Sequence, residues 1–421
     1  MSAHVIGERP LLEVADVIRS HGEAFISKYG KHLSDVQKKT LRVLALCRTA
    51  ALGGHVETCV DCGQERIAYN SCRNRHCPKC QSLSRARWLE REATYLLPVE
   101  YHHVVFTLPA ELAELSLSNA ATMYNLLMQS ASATLRDVSA NPQRLGAQIG
   151  VLMVLHTWGQ NLHHHPHVHC VVTGGGLSCN ERGEVDESPS PSPSPSPSPR
   201  WMSCKPGFFL PVRVLSRVYR GKYLEGLRAL YARGKLTLPA SLQDAQAFAA
   251  WLRPLYEKEW VVYAKPPFGG PEQVLKYLAR YTHRVAISNH RLVKLEDGQV
   301  TFRYKDYADS RKEKFLTLSA EEFLRRFVQH VLPKGFVKIR HYGLLASRQR
   351  KKRLALSREL LEAMLVFAML ASSNKVEPTE RPHCQRCGGE RFTRRVLAKP
   401  SVDGPTPQAE ASAPERGNNT S

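Results

Sequence analysis

Apolar and polar residues are arranged in two kinds of pattern along this chain, and the two patterns predict different elements. Apolar positions recur at helical spacing in several stretches, which predicts amphipathic helices. The predicted helices are two or three short ones within residues 11–50, followed by residues 110–138, 214–233, 244–256, 320–331 and 348–370. Short apolar runs rich in β-branched and aromatic residues predict strands. The predicted strands are residues 102–108, 146–160, 167–173, 260–264, 291–295, 299–304 and 336–340.

The connections between strands predict antiparallel pairing. Residues 146–160 and 167–173 follow each other after a short connection, so we expect them to lie side by side in opposite directions. Glu296, Asp297 and Gly298 separate two later strands and are typical of a hairpin turn. Proline at 166 and the glycine run 174–176 are expected to end the strand 167–173 on either side.

Two segments lack any such pattern. Residues 188–199 alternate serine with proline, which removes backbone donors and favours an extended surface loop. From about Val402 the chain is rich in Pro, Ser, Glu and Asn, which predicts disorder. A Cys384-x2-Cys387 pair precedes this tail without a second pair. It could be a remnant, a weak site completed by His383 or part of an intermolecular site, and we expect no function for it. We assign no chemistry to the Ser-Pro tract.

Composition and charge narrow the class of protein. A chain of 421 residues is long enough for two or three domains, and its formal net charge of +21 indicates a polyanionic partner. Nucleic acid is the first candidate and an acidic membrane surface the second. The chain has no apolar run of the roughly 20 residues that span a bilayer. Its N-terminus lacks the pattern of a secretion signal, so we expect a cytoplasmic protein.

The cysteines predict a zinc site. In a reducing compartment, clustered cysteines are better interpreted as metal ligands than as disulfides. Cys59-x2-Cys62 and Cys77-x2-Cys80 have the spacing of a closed four-cysteine zinc ribbon, which has a structural role. Cys72 and His76 lie between the two pairs, so a different ligand set or a second partial site stays open. Several basic residues surround the ribbon and are expected to contact DNA phosphates; they include Arg73 and Arg75.

A second metal site is indicated by His167 and His169, which flank Val168. Strand residues two apart point to the same face, so the two imidazoles would lie side by side while Val168 turns into the core. Two imidazoles are half of a metal site. The alternative interpretation is a surface histidine cluster that binds nothing.

A pair of tyrosines supplies candidate chemistry. Tyr277 and Tyr281 are four residues apart on a predicted helix that starts at Pro271, so they share one face. Aromatic residues at this spacing are often core residues, but four basic side chains accompany these two: Lys276, Arg280, His283 and Arg284. A tyrosine hydroxyl can attack a phosphodiester when a divalent metal polarises the phosphate, giving a 5′-phosphotyrosine and a free 3′-hydroxyl.

Together these features resemble the HUH endonuclease superfamily, named for its His-hydrophobic-His pair, and specifically the two-tyrosine rolling-circle transposases of the IS-ninety-one group. The resemblance covers most of the chain and rests on five stretches: NSCRNRHCPKCQ, TWGQNL, HPHVHCVVTGGG, GFFLPVRVLSRV and YLARYTHRVAISNHRL. It implies an α+β fold, in which a small helical and zinc-ribbon domain precedes a nuclease domain with a central antiparallel sheet flanked by helices. The Ser-Pro tract and the incomplete tail knuckle depart from the family pattern.

The resemblance also implies residue roles. Tyr277 and Tyr281 would be the nucleophiles, and His167 and His169 would bind Mg²⁺ or Mn²⁺. A polar residue would be the third ligand, for which Gln160 fits best. His165 and Gln273 are the alternatives.

The organisation expected from the sequence has five parts: a helical segment (1–50), a zinc-binding DNA-binding domain (51–98), a nuclease domain (99–345), a basic helix (346–375) and a tail (376–421). The expected function is rolling-circle transposition through cleavage and rejoining of single-stranded DNA, at element ends and target, in a bacterial cytoplasm near the nucleoid. A plasmid or phage replication initiator, or a relaxase, would use the same chemistry. A zinc-dependent DNA-binding regulator without nuclease activity is the alternative from another class.

Overall fold

The fold combines helices with antiparallel strands. The computed structural model describes residues 11–58, 65–179, 199–268, 273–274, 286–307 and 309–372. The helices are α1 Val14–Tyr29, α2 Asp35–Ala45, α3 Gln81–Ala93, α4 Ala113–Ser118, α5 Ala120–Ala140, α6 Val212–Ala232, α7 Ala245–Glu257, α8 Ala320–Gln329 and α9 Arg350–Ser372. Residues as far as Leu365 group into one unit; of the second unit, residues 366–421, the structure describes only the helical residues 366–372.

Strands of three sheets account for the rest of the regular structure. The strands are β1 Gly54–Thr58, β2 Glu65–Tyr69, β3 Tyr101–Thr107, β4 Ala147–Trp158, β5 His164–Ser178, β6 Trp201–Ser203, β7 Val262–Phe268, β8 Leu292–Glu296, β9 Gln299–Asp306, β10 Lys312–Ser319 and β11 Ile339–Gly343. The central sheet has the order β11-β4-β5-β3-β7, with β6 beside β5, and its neighbours run antiparallel. This sheet confirms the predicted antiparallel fold.

Helices cover one face of the central sheet and part of the other, which explains the nearly continuous apolar sequence of β4. One face packs against α5, α6 and α7, and the alternate residues Val168, Cys170 and Val172 of β5 point into that core. The opposite face is covered by α3 and α9 over part of its area, with Val171 in the second core. The uncovered part of this second face carries His167 and His169.

A second sheet, β8-β9-β10, packs against helices from both ends of the chain. Its hairpin turn places Asp297 and Gly298 at φ 48° and 69°, as the predicted turn requires. Val300 and Phe302 of β9 lie in one hydrophobic core with residues of α1, α2 and α8. This core joins the N-terminal helices to the second half of the chain.

Several details differ from the sequence-based predictions. The predicted helix 110–138 is wrong as a single element, because it is broken at Asn119, whose side chain binds the backbone of Leu115 and Thr237. Strand β5 is longer than predicted and runs through the glycines, where the Gln148 carbonyl oxygen would be 2.2 Å from a Cβ at Gly176. Strand β7 continues through two prolines, which is possible because it is an edge strand. Strand β10 was not predicted.

Candidate metal centres and the adjoining cleft

Three histidines meet on the uncovered face of the central sheet. His156 of β4 lies directly opposite His167 of β5 in the antiparallel register, and His169 follows two residues later. The ring centroids are 5.5 Å apart for His156 and His167, 4.5 Å for His156 and His169, and 4.9 Å for His167 and His169. One ring nitrogen from each lies within 4.8 Å of the others. Small side-chain rotations would therefore let all three bind one metal ion.

Neighbouring groups orient two of these imidazoles. His167 Nδ1 donates a hydrogen bond to the carbonyl oxygen of His165 at 2.7 Å, which leaves its Nε2 for an ion. His103 Nε2 lies 2.9 Å from Nδ1 of His169, and the two rings are stacked with an interplanar angle of 3°. Burial, with the nearby charges of Lys265 and His167, lowers the pKa of His103 to about 3. A neutral His103 can accept the Nδ1 hydrogen of His169, which leaves Nε2 of His169 for the ion.

The third histidine, His156, was not predicted from the sequence. Residues 146–160 form a largely buried apolar strand, in which a lone histidine resembles a core residue. The pairing of this strand with residues 167–173 would have identified it, because the residue opposite His167 must share its face. Gln160, the predicted third ligand, lies in the turn after β4, and the guanidinium of Arg291 donates a hydrogen bond to its main-chain carbonyl. The described residues already supply three imidazole ligands, His156, His167 and His169, without the side chain of Gln160.

The histidines open into a cleft of about 510 Å³. Gln160 and His165 line the same cleft, together with the end of β9. The lining residues are His103, Val105, Thr107, His156, Trp158, Gly159, Gln160, Asn161, His165, His167, His169, Tyr263, Lys265, Tyr304, Lys305, Asp306 and Tyr307.

The predicted tyrosine helix lies largely outside the described residues. This applies to Tyr277 and Tyr281 and to their basic neighbours Lys276, Arg280, His283 and Arg284. Gln273 and Val274 are described and are helical. Gln273 is exposed, whereas Val274 is fully buried in the core with Val154 and Val171, on the sheet face that carries the histidines.

A second cluster joins Cys47, Cys72, Cys77 and Cys80. The sulfur atoms are separated by 3.4 Å for Cys47 and Cys80, and by 3.6 Å both for Cys72 and Cys80 and for Cys47 and Cys77. Four thiolates at Zn–S distances of 2.3 Å in a tetrahedron would be roughly 3.8 Å apart. The cluster therefore fits a structural Zn²⁺ with no open coordination position.

The close packing of the four sulfurs also shifts the pKa values of the thiols in opposite directions. Hydrogen bonds with Cys72 and Cys77 hold the pKa of the Cys80 thiol well below its usual range. The pKa of Cys77 is raised, because hydrogen bonds with Cys72 and Cys80 stabilise its protonated form. Four sulfurs at these distances cannot all ionise unless a cation compensates their charge.

The zinc ligands expected from the sequence are only partly brought together. Cys77 and Cys80 lie in the cluster, whereas Cys59 and Cys62 fall outside the described residues. Their partners in the cluster are Cys72, one of the alternative ligands, and Cys47, which follows α2 and is too far from the ribbon in sequence to be predicted as a ligand. His76 is not part of it: its Nε2 accepts a hydrogen bond from the Leu332 amide, and burial lowers its pKa to about 3.

The two arginines assigned to DNA contact differ in their surroundings. Arg75 donates a hydrogen bond to the carbonyl oxygen of Phe336 at 2.6 Å, and burial lowers its pKa. Its guanidinium therefore helps to hold the zinc region against the rest of the chain. Arg73 is exposed and stays available for a phosphate contact.

Two family models match the ranges of the chain that contain the candidate metal centres. A model described as "Transposase zinc-binding domain" matches residues 17–108, a range that includes all four cysteines of the cluster. A model described as "Putative transposase" matches residues 150–353, which include the three histidines. These matches define the protein as a transposase with a zinc-binding domain.

Relatives extend the similarity over most of the chain. "Putative transposase y4qJ" of Sinorhizobium fredii (strain NBRC 101917 / NGR234) is 53% identical over 352 residues, which are 83% of this chain and 84% of the relative. "Transposase for insertion sequence element IS801" of Pseudomonas savastanoi pv. phaseolicola is 28% identical over 399 residues, 91% of this chain and 90% of the relative. The chain belongs to the IS91 group of insertion-sequence transposases, as its resemblance to the IS-ninety-one group indicated.

Neither a similar solved structure nor a membrane-spanning helix was found, the latter within the described residues. No solved structure matches this chain significantly. Within the described residues, we find no helix with the length and hydropathy that a bilayer span requires.

Proposed function

We propose that this transposase cleaves and rejoins single-stranded DNA through covalent phosphotyrosine intermediates, and thereby moves its element by rolling-circle transposition. The observation that carries the proposal is the set of three histidines, His156, His167 and His169, which converge on a cleft rather than on the core. A DNA strand in this cleft would have its phosphate next to the imidazoles.

The start of the tyrosine helix supports the same assignment. Val274 is buried on the histidine face of the central sheet. Tyr277 and Tyr281 follow three and seven positions after Val274 in the sequence, so the predicted helix would carry all three residues.

The proposed reaction is a transesterification. A Mg²⁺ or Mn²⁺ ion held by the three histidines would polarise the scissile phosphate. The phenolic oxygen of Tyr277 or Tyr281 loses its proton and forms a bond to phosphorus, while the bond from phosphorus to the 3′ oxygen breaks and that oxygen gains a proton. The phosphotyrosine retains the bond energy, so a second 3′-hydroxyl can reseal the strand without a nucleotide cofactor. Two tyrosines would allow two successive links.

The remaining residues have supporting roles in this proposal. Lys276, Arg280, His283 and Arg284 would favour the phenolate and bind DNA phosphates, with Arg73 contributing from the zinc region. Zn²⁺, bound by Cys47, Cys72, Cys77 and Cys80, would stabilise that region without taking part in the chemistry.

The proposal is tested by trapping the covalent adduct. The full chain is incubated with Mn²⁺ and a single-stranded element end labelled 3′ of the cleavage site, and the adduct is detected by its shift in a denaturing gel. We expect an adduct with the wild type and with Tyr256→Phe, a control on α7 that packs on the other face of the sheet. We expect none with Tyr277→Phe/Tyr281→Phe.

Two outcomes would contradict the proposal. An adduct formed by the double variant would show that another residue is the nucleophile. Sequence-specific DNA binding without any adduct, over a range of divalent metals, would indicate a DNA-binding regulator. Joining of the released 3′ end to a separate target strand distinguishes transposition from replication initiation.

A further inference from the structure

The cleft has aromatic and basic side chains on two walls that belong to different sheets. Tyr263 and Lys265 are two residues apart on β7, so both point from the central sheet into the cleft. Lys305, near the end of β9 in the second sheet, and Tyr307, directly after this strand, have the same separation. Each wall therefore presents a lysine and a tyrosine, and Tyr304 of β9 adds a second tyrosine to the second wall.

The register places the first wall at a defined distance from the histidines. Tyr263 lies opposite Val105, which in turn lies opposite His169, and Lys265 lies opposite His103. Adjacent strands are about 4.8 Å apart, so Tyr263 stands roughly 10 Å from His169 across the sheet. This distance puts Tyr263 beside the metal site without making it a ligand.

The two tyrosines are unusually exposed for aromatic residues in a cleft. Tyr263 is 52% exposed and Tyr307 is 64% exposed, so each ring offers much of its surface to solvent. Open aromatic surface of this kind favours a ligand with flat apolar faces.

The charge of the cleft walls favours an anionic ligand. Lys265 and Lys305 contribute positive charge. Asp306 is the carboxylate among the described lining residues, and Lys314 compensates it with an ion pair of 2.9 Å. A ligand with flat faces and a polyanionic backbone could stack on the tyrosines and bind the lysines of both walls. Single-stranded nucleic acid has this chemistry.

We propose that Tyr263 and Tyr307 stack on unpaired bases of the single-stranded DNA that occupies the cleft, while Lys265 and Lys305 bind its phosphates. This inference rests on the proposed function and adds the residues that hold the strand. The stacking requires the rings and not the hydroxyl groups. Duplex DNA cannot stack on these tyrosines in the same way, because its bases already stack on each other.

The test measures DNA binding without divalent metal, so that cleavage does not contribute. The full chain is titrated into a fluorescent single-stranded oligonucleotide, and Tyr263→Leu and Tyr307→Leu are compared with Tyr263→Phe and Tyr307→Phe. Each leucine variant should weaken binding by roughly 5- to 150-fold, the range of one lost base–aromatic stack, whereas the phenylalanine variants should bind like the wild type. Tyr256→Leu on α7 is the matched control and should change nothing.

Two further readouts separate stacking from a general effect on folding. Quenching of 2-aminopurine in the bound strand should be lost with the leucine variants and kept with the phenylalanine variants. The double variant Lys265→Gln/Lys305→Gln should reduce the slope of log Kd against log salt by roughly 1.4, about 0.7 for each lost phosphate contact.

Several results would overturn the inference. Unchanged single-strand affinity in both leucine variants would do so, as would an equal loss of affinity for duplex DNA. Loss of the adduct in Tyr263→Phe or Tyr307→Phe at saturating DNA would indicate a chemical role for the hydroxyl group instead. If the leucine variants lose affinity but no variant of Tyr277 and Tyr281 affects the adduct, the stacking role stands and the proposed nucleophiles are wrong.

Discussion

His156 and His167 lie directly opposite each other on the antiparallel strands β4 and β5, with ring centroids 5.5 Å apart. Their approach depends on strand register, because a shift by one residue would turn His156 to the other face of the sheet, into the core under α5. The long pairing of β4 with β5 therefore fixes the geometry of the candidate metal centre.

The first prediction concerns the third ligand. His156→Ala should weaken activation by Mn²⁺ more than about 100-fold, because it removes a ligand, whereas loss of an outer contact typically costs 10- to 100-fold. Gln160→Ala should have a much smaller effect. The measurement is the Mn²⁺ concentration that gives half-maximal adduct formation. The reverse order of the two variants would show that Gln160 is the ligand.

The second prediction concerns metal preference. Three imidazole nitrogens suit a transition metal better than Mg²⁺, which prefers oxygen ligands. The half-activating concentration should therefore be at least about tenfold lower for Mn²⁺ than for Mg²⁺. His156→Glu introduces an oxygen ligand and should move the preference towards Mg²⁺. Equal activation of the wild type by both ions would refute this expectation.

The third prediction concerns His103, which positions His169 through a hydrogen bond to its Nδ1. His103→Leu removes the acceptor for His169 Nδ1 and should weaken metal binding by about 10- to 100-fold. His103→Gln offers an amide oxygen at a similar reach and should recover part of this loss. Calorimetric titration with Mn²⁺ measures both affinities. Equal affinities for His103→Leu and His103→Gln would exclude the hydrogen-bond explanation.

The fourth prediction assigns the zinc ligands. Cys47→Ser should lower the zinc content below about one ion per chain and lower the melting temperature, because a structural zinc site contributes folding free energy. Cys59→Ser should leave this cluster intact. Elemental analysis and thermal unfolding of the two purified variants provide the comparison. Zinc loss in Cys59→Ser with full retention in Cys47→Ser would restore the ligand set expected from the sequence.

The fifth prediction concerns acid stability. His330 is buried, its Nε2 donates to the Leu162 carbonyl oxygen at 3.0 Å, and its Nδ1 lies 3.2 Å from the Thr157 hydroxyl. Burial lowers the pKa of His330 to about 3. The unfolded chain, with a histidine pKa near 6.5, therefore binds more protons between pH 3 and pH 6.5, so stability is complete above this window and falls as the pH drops through it.

Urea titrations at several pH values test this linkage. The contribution of His330 should approach about 1 kcal/mol per pH unit below pH 6. His330→Gln should lower the free energy of unfolding at pH 7.5 but reduce its slope between pH 6.5 and pH 5. An unchanged slope would mean that His330 does not titrate differently in the folded and unfolded states.

Local patterns were sufficient to predict most of the elements. Periodicity located α6, α7 and α8, and turn chemistry located the hairpin at Asp297 and Gly298. The break at Asn119 was not predictable, because its side chain binds Thr237, which is distant in sequence. Strand β10 was not predicted because it has no apolar run: its inward residues Lys314, Leu316 and Leu318 are only half-buried and alternate with exposed residues.

The candidate site also depends on contacts between residues that are distant in sequence. His167 and His169 share a strand, so their common face follows from the period of two. His156 and Cys47 become ligands only through contacts between elements: a strand register in one case, and a helix end packed beside the ribbon in the other. Sequence spacing carries no information about either contact.

The hydrophobic core that contains Cys47, Cys77, α1, α2 and β9 makes the two halves of this transposase interdependent. A recombination event that exchanged residues 1–98 between two relatives would replace only the N-terminal side of this core. The new side chains would then pack against an unchanged Val300 and Phe302. A successful exchange would have to include the second sheet, and with it one wall of the cleft. The zinc region and one wall of the cleft are therefore coupled through this core, and we expect an exchange of residues 1–98 alone to lower the stability of the protein.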